Sequence, residues 1–322
     1  MTTPPSNDSI PASVDTLRNL AIETLSLAGV SDPEVDADLL IGHVLSQTRG
    51  QVQAAAILRT ALGETDAAVI LELVRRRSLR EPLQHITGRA PFRSLELFVG
   101  PGVFVPRPET EQVVQFAIDA LRASADPEPI AVDLGTGSGA IALAMAVEVP
   151  NARVWAVENS PDAFPWTSRN FRAVAAPNAT LVFGDLAESL VELDGTVAVV
   201  ISNPPYIPVD AIPRDPEVRL FDPARALYGG PDGLDVVRHV SRTALRLLRP
   251  GGQIVIEHGE RQGAEIRALL AADGWRAPAT HRDYTTRDRA TTALAPVSAP
   301  IDALAPLTPL TSPKPSHSPA GP

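Results

Sequence analysis

The stretch Val132-Asp133-Leu134-Gly135-Thr136-Gly137-Ser138-Gly139 restricts the folds open to this chain more than any other. An apolar run ends in an acid, turns through alternating glycines, and enters a helical pattern over 139–147. Glycine tolerates the left-handed backbone of such a turn and lets a ligand approach the main chain. Free N–H groups at the start of the following helix favour a carboxylate or a phosphate. The spacing is G-x-G-x-G, which departs from the G-x-G-x-x-G of dinucleotide binders. Further apolar runs at 153–158, 180–183, 198–202 and 253–257 read as strands, as does 130–134, with helical stretches such as 110–124 among them. Alternation of this kind predicts an α/β layer structure built on a mostly parallel sheet.

The N-terminal part reads differently. Leu17, Ala21 and Leu25 recur at helical spacing and Gly29 is a stop. Ser31 and Glu34, around Pro33, match a capping box. A third helix over 66–77 should turn Val69, Ile70, Leu73 and Val74 inward. Helices with one apolar stripe must pack on each other, so 12–80 is expected to be a small helical bundle. Alternation from Phe92 to Val99, the turn Gly100-Pro101-Gly102 and the run Val103-Phe104-Val105 predict a β-hairpin, which makes 81–108 a linker. The α/β domain then occupies 109–295. Residues 1–11 are polar, and eight of the 27 residues in 296–322 are proline, so both ends are expected to be disordered.

Other functions are excluded by what is missing. With no cysteine, there is no disulfide framework and no thiolate zinc site. The six histidines show no metal-ligand spacing. A net charge of −10 weighs against a surface made to grip nucleic acid. Neither a signal peptide nor an apolar run of membrane-spanning length is visible, so the expected location is cytoplasmic.

The strand ends carry the chemistry. Glu158 closes the strand after the glycine turn, where an acid can accept hydrogen bonds from both hydroxyls of a ribose. Asp185 in Gly184-Asp185-Leu186 can meet an adenine amino group. This series resembles the S-adenosylmethionine (SAM) site of class I methyltransferases. The next strand ends in Asn203-Pro204-Pro205-Tyr206. The Asn203 side-chain oxygen and the Pro204 carbonyl can each accept one N–H of a planar, conjugated NH2. Proline holds the backbone rigid and removes a competing donor. Two acceptors orient the nitrogen and favour charge growing on it, while Tyr206 packs on its flat face. The motif is common to methylases of adenine N6, cytosine N4 and glutamine N5.

The rest of the chain separates these. Arg80-Glu81-Pro82-Leu83-Gln84-His85-Ile86-Thr87-Gly88, Phe92-Arg93-Ser94-Leu95, Val105-Pro106-Arg107-Pro108-Glu109-Thr110-Glu111 and Ile201-Ser202-Asn203-Pro204-Pro205-Tyr206-Ile207 resemble the release factor glutamine methyltransferases of the HemK/PrmC family. So do Glu217-Val218-Arg219, Phe221-Asp222-Pro223, Gly229-Gly230-Pro231-Asp232-Gly233-Leu234, Asp283-Tyr284 and Arg287-Asp288-Arg289. The resemblance spans about 12–295. It implies a class I SAM-dependent methyltransferase fold, seven-stranded and Rossmann-like, behind a helical domain that recognises the substrate. The implied substrate is the glutamine of the Gly-Gly-Gln loop in class I peptide chain release factors, methylated at N5. It further implies that Asp133, Gly135, Thr136, Gly137, Ser138 and Gly139 form the SAM loop, with Glu158 on the ribose. Asp185 and Leu186 would flank adenine, and Phe104, Arg107 and Thr110 would close over the cofactor. Asn203, Pro204, Pro205 and Tyr206 would hold the amide, with Asn203 also beside SAM. No membrane, no direct nucleic-acid contact and a monomer are expected. His85 stands where the family usually has tyrosine, and Glu158 where aspartate is frequent.

Two other readings remain at this point: an N6-adenine nucleic-acid methyltransferase and a non-catalytic SAM-binding adaptor. Three signals are discounted. Gly251-Gly252-Gln253 spells the substrate's own loop by coincidence, Arg75-Arg76-Arg77 reads as a solvated helix end, and His258 reads as structural.

Overall fold

The computed structural model describes residues 13–297. The disorder expected for 1–11 and for almost all of 296–322 therefore lies outside the described residues. The chain forms two compact units. The first runs to Gly88 and also takes in Arg214–Phe221; the second is Arg89–Pro213 together with the chain from Asp222 onward.

The first unit is helical. It contains α1 (Val14–Leu27), α2 (Pro33–Leu45), α3 (Arg49–Ile57), α4 (Glu64–Ser78) and α5 (Leu83–Thr87). Ser13 starts α1 by accepting the Thr16 N–H. The capping box expected at Ser31 and Glu34 is not formed. Asp32 is the N-cap without a side-chain cap bond, and Pro33 begins the helix with its φ already set. The capping box in this unit belongs instead to α3, between Thr48 and Gln51. Leu17, Leu25, Leu40, Ile41 and Ile70 are fully buried, each contributing roughly 1.5–3 kcal/mol of transfer free energy. Val69 points outward, contrary to expectation, because the buried face of α4 follows Ala67, Ile70 and Val74 at helical spacing.

Arg77 is no solvated end either. It donates to Asp36 at 2.6 Å and to Glu217 at 2.8 Å, while Arg80 reaches the other Glu217 oxygen at 2.6 Å. Glu217 lies in a short helix, Pro216–Phe221, inside the returning segment. Burial alone would raise its pKa. Hydrogen bonds within the segment and from Arg80 and Arg77 outweigh burial and hold it at about 2.

The second unit opens with the hairpin β1 (Arg89–Phe92) and β2 (Leu95–Phe98), whose turn is Arg93-Ser94. The turn expected at Gly100-Pro101-Gly102 exists, but 103–105 forms no strand. Trp166 packs against Gly100 and donates to the Pro101 carbonyl at 3.1 Å, so side-chain packing rather than strand pairing fixes this stretch.

A seven-stranded sheet follows, made of β3 (Ile130–Leu134), β4 (Arg153–Glu158), β5 (Ala179–Phe183), β6 (Val197–Ser202), β7 (Leu248–Glu257), β8 (Arg276–Arg282) and β9 (Asp288–Leu294). Its order is β5-β4-β3-β6-β7-β9-β8. β3 to β7 are parallel, and β9 runs antiparallel to both β7 and β8. Two apolar clusters cover its faces. One gathers α6 (Pro108–Arg122) and α7 (Ala140–Glu148); the other gathers α8 (Asp235–Leu247) and α9 (Gly263–Ala272). The class I methyltransferase architecture expected from the sequence is the one observed.

Candidate active site

The strand order sets the site. From β3 the chain moves outward to β4 and β5, then returns to place β6 on the other side of β3. The carboxyl ends of β3 and β6 therefore flank the switch point of the sheet, where open α/β sheets bind ligands. The glycine turn leaves β3 and Asn203 leaves β6, so one crevice receives both motifs. Ser202 donates to the Leu134 carbonyl at 2.7 Å and ties the two strand ends together.

The glycine turn is held from behind. Asn170 and Thr167, on the helix Phe164–Val174, donate to the carbonyls of Ser138 and Gly137. Both are fully buried, and Asn170 also exchanges hydrogen bonds with Phe98 of β2. Gly135, Gly137 and Gly139 have positive φ, and no atom lies within 4 Å of a Cβ added at Gly135 or Gly137. One side of the turn is thus open for a ligand to lie against the backbone. Beneath it, Asp133 is fully buried. Its Oδ2 accepts from Thr136 at 2.6 Å and from the Ala142 N–H at 3.2 Å, whereas Oδ1 has no partner. Burial pushes this carboxyl up to about 7.

Glu158 accepts from the Gly137 N–H at 2.8 Å and from the Ser160 N–H at 2.7 Å. Each oxygen keeps a second lone pair. Asp185 accepts from the Ala187 N–H at 2.8 Å, with Leu186 buried beside it. The open turn, the acid on the next strand and the partnerless Asp133 oxygen fit an adenosyl ligand that also carries cationic groups.

The Asn203-Pro204-Pro205-Tyr206 turn is rigid for reasons beyond its prolines. The Ile207 N–H donates to the Leu227 carbonyl at 2.8 Å, and the Gly229 N–H donates back to Ile207 at 2.9 Å. A Cβ at Gly229 would collide with the Pro205 carbonyl, and one at Gly233 with that of Tyr206. Gly229 and Gly233 are glycine because their backbone abuts the turn, while Gly230 lies against Asp235. Gln262 donates to the Tyr206 carbonyl at 2.9 Å. Burial, then the nearby Glu257 charge, pushes the Tyr206 phenol up to about 12, so it stays neutral.

Of the three residues expected over the cofactor, Phe104 and Arg107 lie together and Thr110 lies beside Asn203. Arg107 lies 5.1 Å from the Phe104 ring centroid and donates to Asp222 at 2.7 Å. Thr110 is buried, with its hydroxyl 3.5 Å from Asn203 Nδ2, and so faces the Asn-Pro-Pro-Tyr turn. Sequence reasoning passed over Glu257. It closes β7 next to Asn203, since Ser202 pairs with Ile256 in the parallel register. It is buried, and the nearby Thr110 and Asn203 side chains favour its charged form, yet Oε2 has no hydrogen-bond partner. Burial pushes it up to about 7. A signal was present: like Asp133 and Glu158, Glu257 is an acid that ends an apolar strand. His258, as expected, is structural, bonded to the Thr291 hydroxyl and the Gly259 carbonyl.

Residues 16–88 match the model of the PrmC N-terminal domain, and residues 95–227 that of the methyltransferase small domain. A release factor glutamine methyltransferase of Streptomyces coelicolor is 50% identical over 275 residues, covering 85% of this chain and 95% of the relative. One from Bifidobacterium longum is 46% identical over 281 residues, covering 84% and 96%. The chain belongs to the release factor glutamine methyltransferase family. Membership accounts for the helical unit and the Asn-Pro-Pro-Tyr turn occurring in one chain. A 4-amino-L-phenylalanine/4-methylamino-L-phenylalanine methyltransferase of Streptomyces pristinaespiralis is also similar, 39% identical over 255 residues and covering 78% of this chain and 84% of that one. Among the described residues no helix is long and apolar enough to cross a membrane, and no cluster of potential metal ligands occurs.

Proposed function

We propose that this protein transfers a methyl group from SAM to the N5 side-chain amide of the glutamine in the Gly-Gly-Gln loop of class I release factors. The observation that carries the proposal is the Asn203-Pro204-Pro205-Tyr206 turn at the switch point, in a chain belonging to this family. Gly135 to Gly139, Glu158, Asp185 and Leu186 would hold the cofactor, with Asp133 facing its cationic end. When bound, SAM supplies a methyl on a sulfonium, an electrophile that needs no metal. The chain's task is then to present a weak nucleophile. Asn203 Oδ1 and the Pro204 carbonyl accept the two amide N–H groups and align the nitrogen lone pair with the methyl. Neutral Tyr206 covers the amide plane and keeps water away. The helical unit would dock the release factor in the cytoplasm, and no nucleic acid is required.

The deciding experiment offers labelled SAM to the protein with a release factor, with DNA and with 4-amino-L-phenylalanine, followed by mass spectrometry of the Gly-Gly-Gln peptide. Label on that glutamine is expected. Label in DNA alone would favour an adenine methylase. Label on the arylamine alone would favour the reading suggested by the Streptomyces pristinaespiralis relative, whose acceptor is also an NH2 conjugated to a π system. Binding of SAM without any transfer would leave an adaptor.

A further inference from the structure

Asn203 has a requirement that the turn itself does not meet. An amide side chain presents oxygen on one edge and NH2 on the other. To accept a substrate N–H it must turn Oδ1 toward the crevice, and rotation by half a turn would present a donor to a donor. Something behind Asn203 has to choose. Behind it stand Thr110, at the start of α6, and Glu257, at the end of β7. Asn203 Nδ2 donates to Thr110 Oγ1 at 3.5 Å, and both side chains are close enough to the Glu257 carboxyl group to favour its charged form. A carboxylate is an acceptor only. An ionised Glu257 would draw the hydroxyl proton of Thr110 toward itself, which leaves the hydroxyl oxygen's lone pairs to receive the Asn203 NH2 and keeps that edge inward.

We infer that Glu257 and Thr110 form an acceptor relay that holds Asn203 in the one orientation able to receive the substrate amide. Glu257 and Thr110 are thus positioning residues, acting through Asn203 without touching the reacting atoms. The placement supports this role. Both are buried, and a glutamate at 1% exposure with a partnerless Oε2 is an expensive choice for a site needing only packing. The inference rests on the proposed amide methylation for its acceptor, but not for its logic, since any NH2 acceptor needs the same edge of Asn203.

The test uses the full chain at pH 8, where Glu257 is mainly ionised. Thr110→Val keeps the shape and removes the hydroxyl; Thr110→Ser restores it. SAM binding is read by calorimetry, and turnover on a release factor gives kcat and KM. Thr110→Val is expected to lower kcat about tenfold, the size of one lost charge-linked hydrogen bond, with KM and the SAM Kd within about twofold of wild type. Thr110→Ser should return to within about threefold of wild type. Glu257→Leu should match Thr110→Val, and the double variant should be no worse than either, because both cut one relay. If Glu257→Leu does not fold, the two Thr110 variants decide alone. Wild-type kcat in Thr110→Val, a loss confined to KM or SAM binding, failure of Thr110→Ser to recover, or additive losses in the double variant would each overturn the relay. Failure of the wild type on release factors, with transfer to another acceptor, would sink the proposed substrate instead. The relay would then be read on that acceptor.

Discussion

Asn203 and Asp133 are polar side chains placed in opposite surroundings, one half-buried and one fully buried. In the proposed reaction Asn203 offers its side-chain oxygen as an acceptor. Its replacement by alanine would then remove one of the two acceptors that align the amide, an interaction made mainly as charge grows on nitrogen. Asn203→Ala is expected to lower kcat by about a hundredfold or more and leave SAM binding within a few-fold. Single-turnover methylation together with SAM calorimetry would measure both, and unchanged turnover would remove Asn203 from the mechanism. Asp133 instead hides its atom. Its folded-state pKa is raised from 3.8 to about 7 by burial. Between those values the folded chain keeps a proton that the unfolded chain has released. Stability is therefore fullest below about pH 4 and is lost as pH rises through 7. A shift of this size corresponds to a few kcal/mol, at about 1.4 kcal/mol per unit. Asp133→Asn removes the titration. Its melting temperature relative to wild type should climb by several degrees between pH 5 and pH 8. A difference independent of pH would show that Asp133 does not titrate in this window.

At the scale of elements, the clearest prediction concerns the segment that carries Glu217. Arg77 and Arg80 meet its carboxylate with both charges largely withdrawn from water. Removing one partner of such a group leaves the others uncompensated, which typically costs about 3–5 kcal/mol. Glu217→Ala should therefore lower stability by about 3 kcal/mol in urea unfolding and raise hydrogen exchange selectively across 214–221. In the wild type the same contribution should fade as pH falls from about 4.5 toward 2, since the folded-state pKa is the depressed one. Unchanged exchange in the segment would show that the ion pairs do not hold it. This contact also marks a limit of what the chain reveals in one dimension. The apolar strands β3 to β7 were legible because each is a continuous run bounded by turn residues. The two antiparallel strands were not, because β8 is polar and half-exposed and carries Pro278, as an edge strand can. α3 was missed because its buried face amounts to Val52 and two alanines. The glycine turn and Asn203 motif were legible as local spacing. The placement of Thr110 beside Asn203, the site position of Glu257 and the Arg77–Glu217 pair were not, since strand register and contacts across the chain bring them together. In one case the cue was local but misread: the glycines at 100 and 102 suggested the hairpin turn, and Arg93 takes it with a positive φ.

For the whole molecule, the connectivity has a mechanical consequence. The chain leaves the helical unit at Gly88, re-enters it at Arg214 and leaves again after Phe221. Only seven residues separate Tyr206 from that re-entry, so the Asn-Pro-Pro-Tyr turn is covalently close to a segment whose partners are helices far away in sequence. The two units need not lose structure together, but 214–221 should follow the helices, although it lies within the methyltransferase half of the sequence. Leu25 is fully buried in the helical core, and its truncation to alanine should destabilise that core by roughly 2–5 kcal/mol. Hydrogen exchange of Leu25→Ala, followed by mass spectrometry with rising urea, should show 214–221 opening with α1, α2 and α4. Strands β3, β4 and β6 should keep their protection to higher denaturant. If 214–221 instead stayed protected with the strands, the ion pairs to Arg77 and Arg80 would be secondary, and the segment would owe its structure to the chain on either side. If it opens early, loss of the helical unit also frees the chain that follows Tyr206. Methyl transfer would then decline at lower urea concentrations than SAM binding, a separation that calorimetry and turnover on one sample would reveal.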